Sequence, residues 1–193
     1  MGYIVSPYDS ALFLRRADKG TILLLLYVDD MIIIGDDLNG IQELKDFLSQ
    51  QFEMKNLTHF SYFLGLEITH FTDGLYIIKA KYTSNLLSRA GLIDSKTVDT
   101  PVELNAHLTP SGGKPLSNPS LYRRLVGSLV YLTVTHLDIS YAVHQVSQYL
   151  SAPRSTHYAA VLRILRYLKG TLFHGIFYSA QSPLVLRAFS DAD

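Results

Sequence analysis

Two neighbouring carboxylates, Asp29 and Asp30, are the residues of this chain best suited to chemistry. They stand between two apolar runs, residues 22–26 and 31–34. Such runs are typical of strands buried on both faces, and their spacing predicts a tight hairpin with the carboxylates at its tip. The two charges repel each other, burial raises the cost of ionising them, and a divalent cation would relieve both effects. A surface turn is the alternative interpretation, because aspartate is common in turns.

The tetrapeptide Tyr27-Val28-Asp29-Asp30 adds weight to the metal interpretation. It resembles the Tyr-x-Asp-Asp hairpin of reverse transcriptases, which carries catalytic carboxylates on the palm of the polymerase. Longer stretches downstream resemble copia-type (Pseudoviridae) retrotransposon Pol polyproteins, so that the resemblance extends over nearly the whole chain. These stretches are residues 63–68, 122–133, 138–143 and 163–171.

The composition is typical of a globular protein. Of the 193 residues, 48% are hydrophobic and 18% are charged, which argues against disorder. There is no cysteine, so a disulfide framework and a thiolate metal site are both excluded. The longest apolar run is much shorter than the ~20 residues of a membrane span. We therefore expect an intracellular protein without a membrane partner, cytoplasmic or nuclear, with an organellar origin left open.

The net charge of zero conceals an asymmetry along the chain. Residues 1–78 carry five Lys and Arg against eleven Asp and Glu, a net charge of −6. Residues 79–190 carry twelve against four, a net charge of +8, and the last three residues add −2. An acidic part that holds cations, joined to a basic part that holds phosphates, fits a polymerase. Charge alone does not identify the partner.

Periodicity predicts an α+β fold in the acidic half. We expect strands over residues 11–15 and 21–26, the central hairpin, and then an amphipathic helix over residues 38–52. Asp36 and Asp37 precede this helix and are assigned to capping it, because acidic residues are favoured there. A strand over residues 60–69, an Asp-Gly turn at 73–74, a strand over 75–78 and a helix over 79–91 follow.

The basic half is predicted to be helical. Residues 93–118 are rich in Pro and Gly and are predicted to form a long linker loop. Three helices are expected after it, over residues 120–135, 139–150 and 156–169, and the first two begin at the predicted caps Asn118 and Asp138.

The resemblance gives these elements their domain names. It implies a truncated reverse-transcriptase palm, an antiparallel sheet with packed helices, followed by a helical thumb and connection region. Residues 1–92 would be the partial palm, with the Tyr-Val-Asp-Asp hairpin and a primer-grip hairpin. Residues 93–118 would be the linker and residues 119–170 the thumb. Residues 171–193 would supply connection strands and the first strand of a truncated ribonuclease H domain.

Residues 63–68, Phe-Leu-Gly-Leu-Glu-Ile, occupy the place of the primer grip, the hairpin that holds the primer end against the carboxylates. The resemblance therefore assigns Leu64 and Gly65 to primer binding. Gly65 has a physical reason of its own, because a missing side chain lets another backbone approach closely. An ordinary edge hairpin would account for the same residues.

Arg163, Arg166 and Lys169 recur every three residues on the last predicted helix, so they fall within one broad arc. Such an arc can follow a phosphate backbone, which makes these residues the candidate thumb contacts with nucleic acid. A solvated helix face is the alternative. At the far end of the chain, Asp191 matches the first metal-binding carboxylate of ribonuclease H. The other carboxylates of that site do not occur in this sequence, so ribonuclease H activity is not expected.

The implied reaction is nucleotidyl transfer. A primer 3′-hydroxyl attacks an incoming dNTP while two divalent ions, Mg²⁺ or Mn²⁺, stabilise the attacking and leaving oxygens. The resemblance makes Asp29 a metal ligand and Asp30 its assistant, with Tyr27 and Val28 shaping the site near the primer end and template. The implied partners are an RNA template, a DNA primer and the dNTP.

The family's palm uses a further aspartate in a motif like Asp-Val-x-x-Ala-Phe, and none of residues 1–28 matches it. The fingers are also missing, so we expect weak metal binding and no polymerase activity from this chain alone. The alternative is a non-catalytic nucleic-acid-binding fragment or an inert retroelement remnant. A third interpretation, an unrelated α/β domain with another magnesium reaction, must treat several matches as chance.

Overall fold

The computed structural model describes residues 2–28, 30–53, 61–104, 107–183 and 185. The chain divides into two compact units, Met1–Phe60 and Ser61–Asp193. Within the described residues each unit contains one four-stranded antiparallel sheet, and five α-helices complete the structure. The predicted α+β class is confirmed. The division falls after Phe60 and not within the predicted linker, and the names palm and thumb stay predictions.

The first unit is a sheet with one helix. Its strands are β1 (Ile4–Val5), β2 (Leu12–Ala17), β3 (Gly20–Tyr27) and β4 (Asp30–Gly35), which are adjacent in that order. The helix α1 (Leu38–Gln51) follows β4 directly. The predicted central hairpin and the predicted amphipathic helix are both confirmed.

Asp37 determines where α1 begins. Its carboxylate accepts a hydrogen bond from the N–H of Gly40 at 3.0 Å, as the capping prediction requires. The same carboxylate lies 3.3 Å from the guanidinium of Arg15, so strand β2 is tied to the start of the helix. Asp36 differs from the prediction. Its side chain accepts from the N–H of Thr21 and joins the ends of β3 and β4 instead of capping the helix.

The sheet of the first unit has one covered face. Ile22 and Leu24 are buried there together with Leu44 of α1. The register places a second set of aliphatic side chains on the opposite face, because cross-strand partners share a face. No member of this set is buried, and Ile34 is 58% exposed. The prediction of strands buried on both faces is therefore wrong for this sheet in the described residues. We call this second set the open face: Ile4, Leu12, Leu14, Leu23, Leu25, Ile32 and Ile34.

The sheet of the second unit contains the predicted primer-grip segment. Its strands are β5 (Tyr62–Phe63), β6 (Leu66–Phe71), β7 (Gly74–Ile78) and β8 (Ile176–Ser179), all antiparallel. The single strand predicted over residues 60–69 is wrong. The chain reverses at a two-residue turn between β5 and β6, because Phe63 pairs with Leu66.

The helices of the second unit are α2 (Ala80–Arg89), α3 (Pro119–Leu132), α4 (Ser140–Ser147) and α5 (Ser155–Gly170). All four were predicted, although α4 is shorter than expected. It begins at Ser140, after a 3₁₀ turn at residues 137–139 in which Asp138 makes no side-chain cap, and it ends at Ser147, three residues before the expected end. The Asn118 cap of α3 is confirmed, since its side chain accepts from the N–H of Leu121 at 3.1 Å.

The segment between α2 and α3 is fastened to the helices. His157 is buried in α5, stacks on the ring of Tyr149 at 3.8 Å and lies 2.9 Å from the carbonyl oxygen of Thr109. The N–H of Arg154 donates to Nδ1 of His157, so Nε2 is the ring nitrogen that donates to the carbonyl oxygen of Thr109. The side chains of Val102, Leu108 and Leu116 pack on the helical core. The described residues of the predicted linker, 93–104 and 107–118, are thus packed on the helices, and we call them the strap.

Among the described residues no helix has both the length and the apolar character that crossing a membrane requires.

Candidate metal and nucleic-acid site

The first candidate site is the tip of the β3–β4 hairpin. Tyr27, the last residue of β3, pairs with Asp30, the first residue of β4. Asp29 lies between them and is outside the described residues, as is Asp191. Asp30 is exposed, and its carboxylate has no hydrogen bond or ion pair within the described part of the chain. The carboxylate is therefore open to a cation, and the expected burial of its charge is wrong for Asp30.

Val28 gives the hairpin tip an unusual backbone. Its φ is +49° and its side chain is 90% exposed. A β-branched residue in the left-handed region costs about 1–3 kcal/mol and persists only where the surrounding structure imposes it. Here the paired strands on either side impose it. Val28 and Leu64 are the two non-glycine residues of the described chain with a positive φ.

Tyr27 lies on the same face of the sheet as Asp30, because the two residues are cross-strand partners. The side chain of Tyr27 is 51% exposed. The two strands therefore present an aromatic ring and a carboxylate side by side, at the end of the open face. The position of Tyr27 near a primer end, which the resemblance implies, stays a prediction.

The donor atoms at this tip fit a hard cation in part. A free, exposed carboxylate such as that of Asp30 is an oxygen ligand of the kind that Mg²⁺ and Mn²⁺ prefer. Across the described residues, no group of three or more His, Cys, Asp or Glu side chains is arranged to hold a metal ion. Asp29 would have to complete the site, so the metal site stays a prediction.

The second candidate site is the turn between β5 and β6. Leu64 and Gly65 have φ values of +49° and +77°, the two positive values of a type I′ hairpin turn. The hydroxyl of Tyr131 on α3 donates to the carbonyl oxygen of Leu64. A Cβ atom at residue 65 would lie 2.7 Å from that hydroxyl oxygen. Gly65 is thus required for a close approach, as predicted, although a side chain and not a backbone approaches it.

Lys79 contacts Tyr131, the residue that bonds this turn. Its side chain is buried, with 1% exposure, and its ammonium donates to the carbonyl oxygen of Tyr131 at 2.7 Å. The same nitrogen lies 3.3 Å from the centre of the Tyr131 ring, and Tyr82 packs its ring edgewise at 4.9 Å. Burial lowers the pKa of Lys79 to about 8.

Sequence reasoning assigned no chemistry to residues 79–83 and missed this lysine. The available signal was the position of Lys79 between the apolar strand β7 and the amphipathic helix α2. A long side chain at such a junction lies along the core, and this would have predicted its burial. It missed Glu67 as well, whose carboxylate accepts from the N–H of Lys81 at 2.7 Å and satisfies one free donor at the start of α2.

The three cations of α5 lie at the surface of the second unit, each partly buried. Arg163 donates to the hydroxyl of Thr100 at 3.0 Å, and Lys169 donates to the carbonyl oxygen of Ser95 at 2.6 Å. These bonds hold the strap and give both residues a structural role. The guanidinium of Arg166 has no partner within the described residues. Binding of nucleic acid by the three cations stays a prediction.

A separate cluster of titratable side chains surrounds the 3₁₀ turn before α4. His136 is 1% exposed, and neither of its ring nitrogens has a hydrogen-bond partner within the described residues. Burial lowers the pKa of His136, an effect that nearby Asp138 opposes. The hydroxyl of Tyr167 donates to Asp138, which together with burial raises the pKa of Tyr167 to about 12.

Comparison with known proteins identifies the family. The sequence profile described as reverse transcriptase (RNA-dependent DNA polymerase) matches residues 2–104. Because this match covers more than half of the chain, the protein belongs to the reverse transcriptase family. Within that family it groups with the copia-type Pol polyproteins of retrotransposons, as the sequence resemblance predicted.

Three relatives illustrate the grouping. The chain is 41% identical over its whole length to the retrovirus-related Pol polyprotein from transposon RE2 of Arabidopsis thaliana, of which it spans 13%. It is 35% identical to the corresponding polyprotein from transposon TNT 1-94 of Nicotiana tabacum, over 99% of this chain and 15% of that protein. It is also 41% identical to an uncharacterized mitochondrial protein of Arabidopsis thaliana, over 88% of this chain and 70% of that one.

No solved structure shows a significant match to the chain.

Proposed function

We propose that this chain is the part of a copia-type reverse transcriptase that carries the carboxylate hairpin, the primer-grip hairpin and a helical nucleic-acid contact. Asp29 and Asp30 are the proposed ligands of Mg²⁺ or Mn²⁺. When bound, these ions lower the energy of the negative charge that develops on the oxygens of the transferred phosphate. The proposed nucleic acid is an RNA template with a DNA primer, and a dNTP is the second substrate.

One observation carries this proposal above the others. Asp30 is exposed at a hairpin tip, lacks a protein partner within the described residues, and shares its face with Tyr27. A structural aspartate at a turn usually accepts hydrogen bonds from the adjacent backbone. A carboxylate without such bonds, beside an aromatic ring, is available to a cation and to a base or sugar.

The remaining proposed contacts have separate tasks. Val28 would approach the template and primer at the tip of the first hairpin. Leu64 and Gly65 would hold the primer end through a turn of defined shape. Arg163, Arg166 and Lys169 would neutralise backbone phosphates, Arg166 most readily because its guanidinium has no partner within the described residues.

The isolated chain is not expected to polymerise. A two-metal site needs carboxylates on both sides of the ions, and none of residues 1–28 matches the family's earlier palm motif. Metal binding by the hairpin alone is therefore weak and poorly oriented.

A primer-extension assay tests this statement. The chain is incubated with a homopolymer template, a complementary primer and dNTP, in Mg²⁺ and then in Mn²⁺. We expect no incorporation from the wild-type chain. Incorporation by the wild-type chain that Asp29→Ala abolishes and the exposed control Asp46→Ala preserves would show that the site is complete and that this part of the proposal is wrong.

A second candidate function is nucleic-acid binding without catalysis. The net charge of +8 over residues 79–190 favours it. Titration with an RNA–DNA hybrid at increasing salt separates the candidates, because phosphate contacts make the logarithm of the affinity fall linearly with the logarithm of the salt concentration. We expect Arg166→Gln to reduce that slope by about one unit. No binding at low salt would leave only the inert remnant.

A further inference from the structure

The turn between β5 and β6 has a left-handed backbone conformation at Leu64, which a leucine rarely adopts. Leu64 occupies the first turn position at φ +49°, where Asn, Asp or Gly is the usual choice for a type I′ turn. Leucine has no polar group with which to stabilise that conformation locally. The turn must therefore be held by contacts from outside the hairpin.

Tyr131 supplies the first of those contacts. Its hydroxyl donates to the carbonyl oxygen of Leu64, so the turn is bonded at the residue that carries the positive φ. The absence of a Cβ at Gly65 makes room for this hydroxyl. The bond joins positions 67 residues apart in sequence and links the hairpin to the last turn of α3.

Lys79 supplies the second contact by holding Tyr131. Its ammonium bonds the main-chain carbonyl of Tyr131 and lies over the ring of the same residue. Within the described residues no carboxylate oxygen lies within 4 Å of this ammonium. The lysine therefore has one principal polar neighbour, Tyr131. Burial of a charge is costly unless the charged group is hydrogen-bonded, and Tyr131 provides that hydrogen bond. The lowered pKa of Lys79 agrees with this placement.

We propose that Tyr131 and Lys79 are positioning residues that hold the Leu64–Gly65 turn in its left-handed conformation before any nucleic acid binds. The inference rests on the proposed function only in naming a primer end as what the turn contacts. A turn that is already held in shape loses less conformational entropy on binding, so the effect should appear in affinity for primer ends and not in general affinity for duplex.

We call the contacts of Tyr131 and Lys79 that hold the Leu64–Gly65 turn the clamp. Amide hydrogen exchange of the full chain tests the clamp without nucleic acid. Tyr131→Phe removes the hydroxyl and keeps the ring under the lysine. We expect exchange of the β5 and β6 amides to accelerate roughly tenfold, the factor for one lost hydrogen bond, while amides of β3 and β4 are unchanged. Lys79→Met should act in the same direction. Tyr141→Phe, the same change at a side chain that is 66% exposed, should have no effect.

A rescue variant separates positioning from a loss of global stability. Asparagine tolerates positive φ at the first position of a type I′ turn. Leu64→Asn combined with Tyr131→Phe should therefore return the β5 and β6 amides to near wild-type exchange. A general weakening of the second unit would not be repaired by a change in the turn. Unaltered exchange in Tyr131→Phe, or no rescue by Leu64→Asn, overturns the proposal.

A binding comparison then distinguishes the clamp from the proposed function. Affinities are measured for two RNA–DNA hybrids of equal length, one with a recessed primer 3′ end and one blunt. We expect the wild-type chain to prefer the recessed end and Tyr131→Phe to lose most of that preference while binding the blunt hybrid equally. A wild-type chain without preference contradicts the primer-grip assignment, and the exchange experiment still decides the clamp. Wild-type preference that survives in Tyr131→Phe overturns the clamp alone.

Discussion

Lys79 shows how one buried side chain makes stability depend on pH. Its pKa is about 8 in the folded chain and 10.5 in its ordinary state. Between these values the unfolded chain binds more protons than the folded one, so the stability of the second unit rises as the pH increases. The shift corresponds to a gain of up to ~3 kcal/mol when the window is crossed completely.

The first prediction follows from that sign. Denaturant unfolding of the wild-type chain, followed by the helical signal between pH 7.5 and 9.5, should show increasing stability. Lys79→Met should flatten the dependence, because methionine fills a similar volume and does not titrate. The measurement stops at pH 9.5 because of Tyr122. Burial raises the pKa of its hydroxyl, so the contribution of this tyrosine to stability is lost at higher pH. A variant with the wild-type slope contradicts the assignment.

The second prediction concerns Tyr122 at the centre of the helical core. It is fully buried, and its hydroxyl donates to the carbonyl oxygen of Val146 at 2.6 Å. Tyr122→Phe removes this buried hydrogen bond, while the carbonyl still accepts from the N–H of Tyr149 at 3.3 Å. We therefore expect a loss of about 0.5–1.5 kcal/mol in the free energy of unfolding. Tyr141→Phe serves as the matched control and should lose nothing. Equal stability of the two variants would mean that the hydroxyl at residue 122 contributes nothing to stability.

Among the single residues, those with a strong local pattern were the predictable ones. Asp37 and Asn118 stand directly before amphipathic segments, and capping is a local interaction. Lys79 and Tyr131 were missed, because their contact joins positions 52 residues apart and depends on packing that a linear pattern does not contain.

At the scale of elements, α1 depends on one aspartate with two tasks. Asp37 caps the helix and pairs with Arg15. The third prediction is that Asp37→Ala lowers the protection of α1 amides by about 1–2 kcal/mol, whereas Asp37→Asn, which keeps a capping side chain, loses less. Native-state hydrogen exchange measures both. Arg15→Met isolates the ion pair, and a loss there equal to that of Asp37→Ala would show that the cap is unimportant.

The elements themselves were largely predictable from periodicity. All five helices occur where the apolar spacing placed them, within a few residues at their ends. The turn at Leu64 and Gly65 was not predictable, since leucine is a poor candidate for a positive φ and the segment reads as one continuous strand. The early end of α4 was missed because Tyr149 and Leu150 continue the apolar helical spacing of Val146 beyond Ser147, where the helix ends.

At the scale of the whole molecule, the two units differ in core size. Within the described residues the main cluster of the second unit contains fifteen buried hydrophobic residues, and that of the first contains three. The fourth prediction is that amides of β3 and β4 exchange through openings of lower free energy than those of α3 and α5. Native-state exchange at increasing denaturant distinguishes this from a single cooperative unit, in which all four elements would converge on the same free energy.

The division into two units was not predictable from composition. Pro and Gly cluster in residues 93–118 and suggested a boundary there. The structure binds that segment to the helices through His157, Arg154 and the apolar side chains of the strap. Turn-forming residues mark places where the chain changes direction, and they do not say whether the two flanking parts share a core.

The open face of the first sheet has a consequence for anyone who purifies this protein. Seven branched aliphatic side chains, none of them buried, lie on one face of four neighbouring strands, and the chain carries no net charge at neutral pH to keep copies apart. Precipitation from neutral buffer at high protein concentration is therefore the expected laboratory behaviour, and a shift to more alkaline buffer together with Ile34→Glu is the corresponding remedy, because both make the net charge more negative. Light scattering across a concentration series would reveal both.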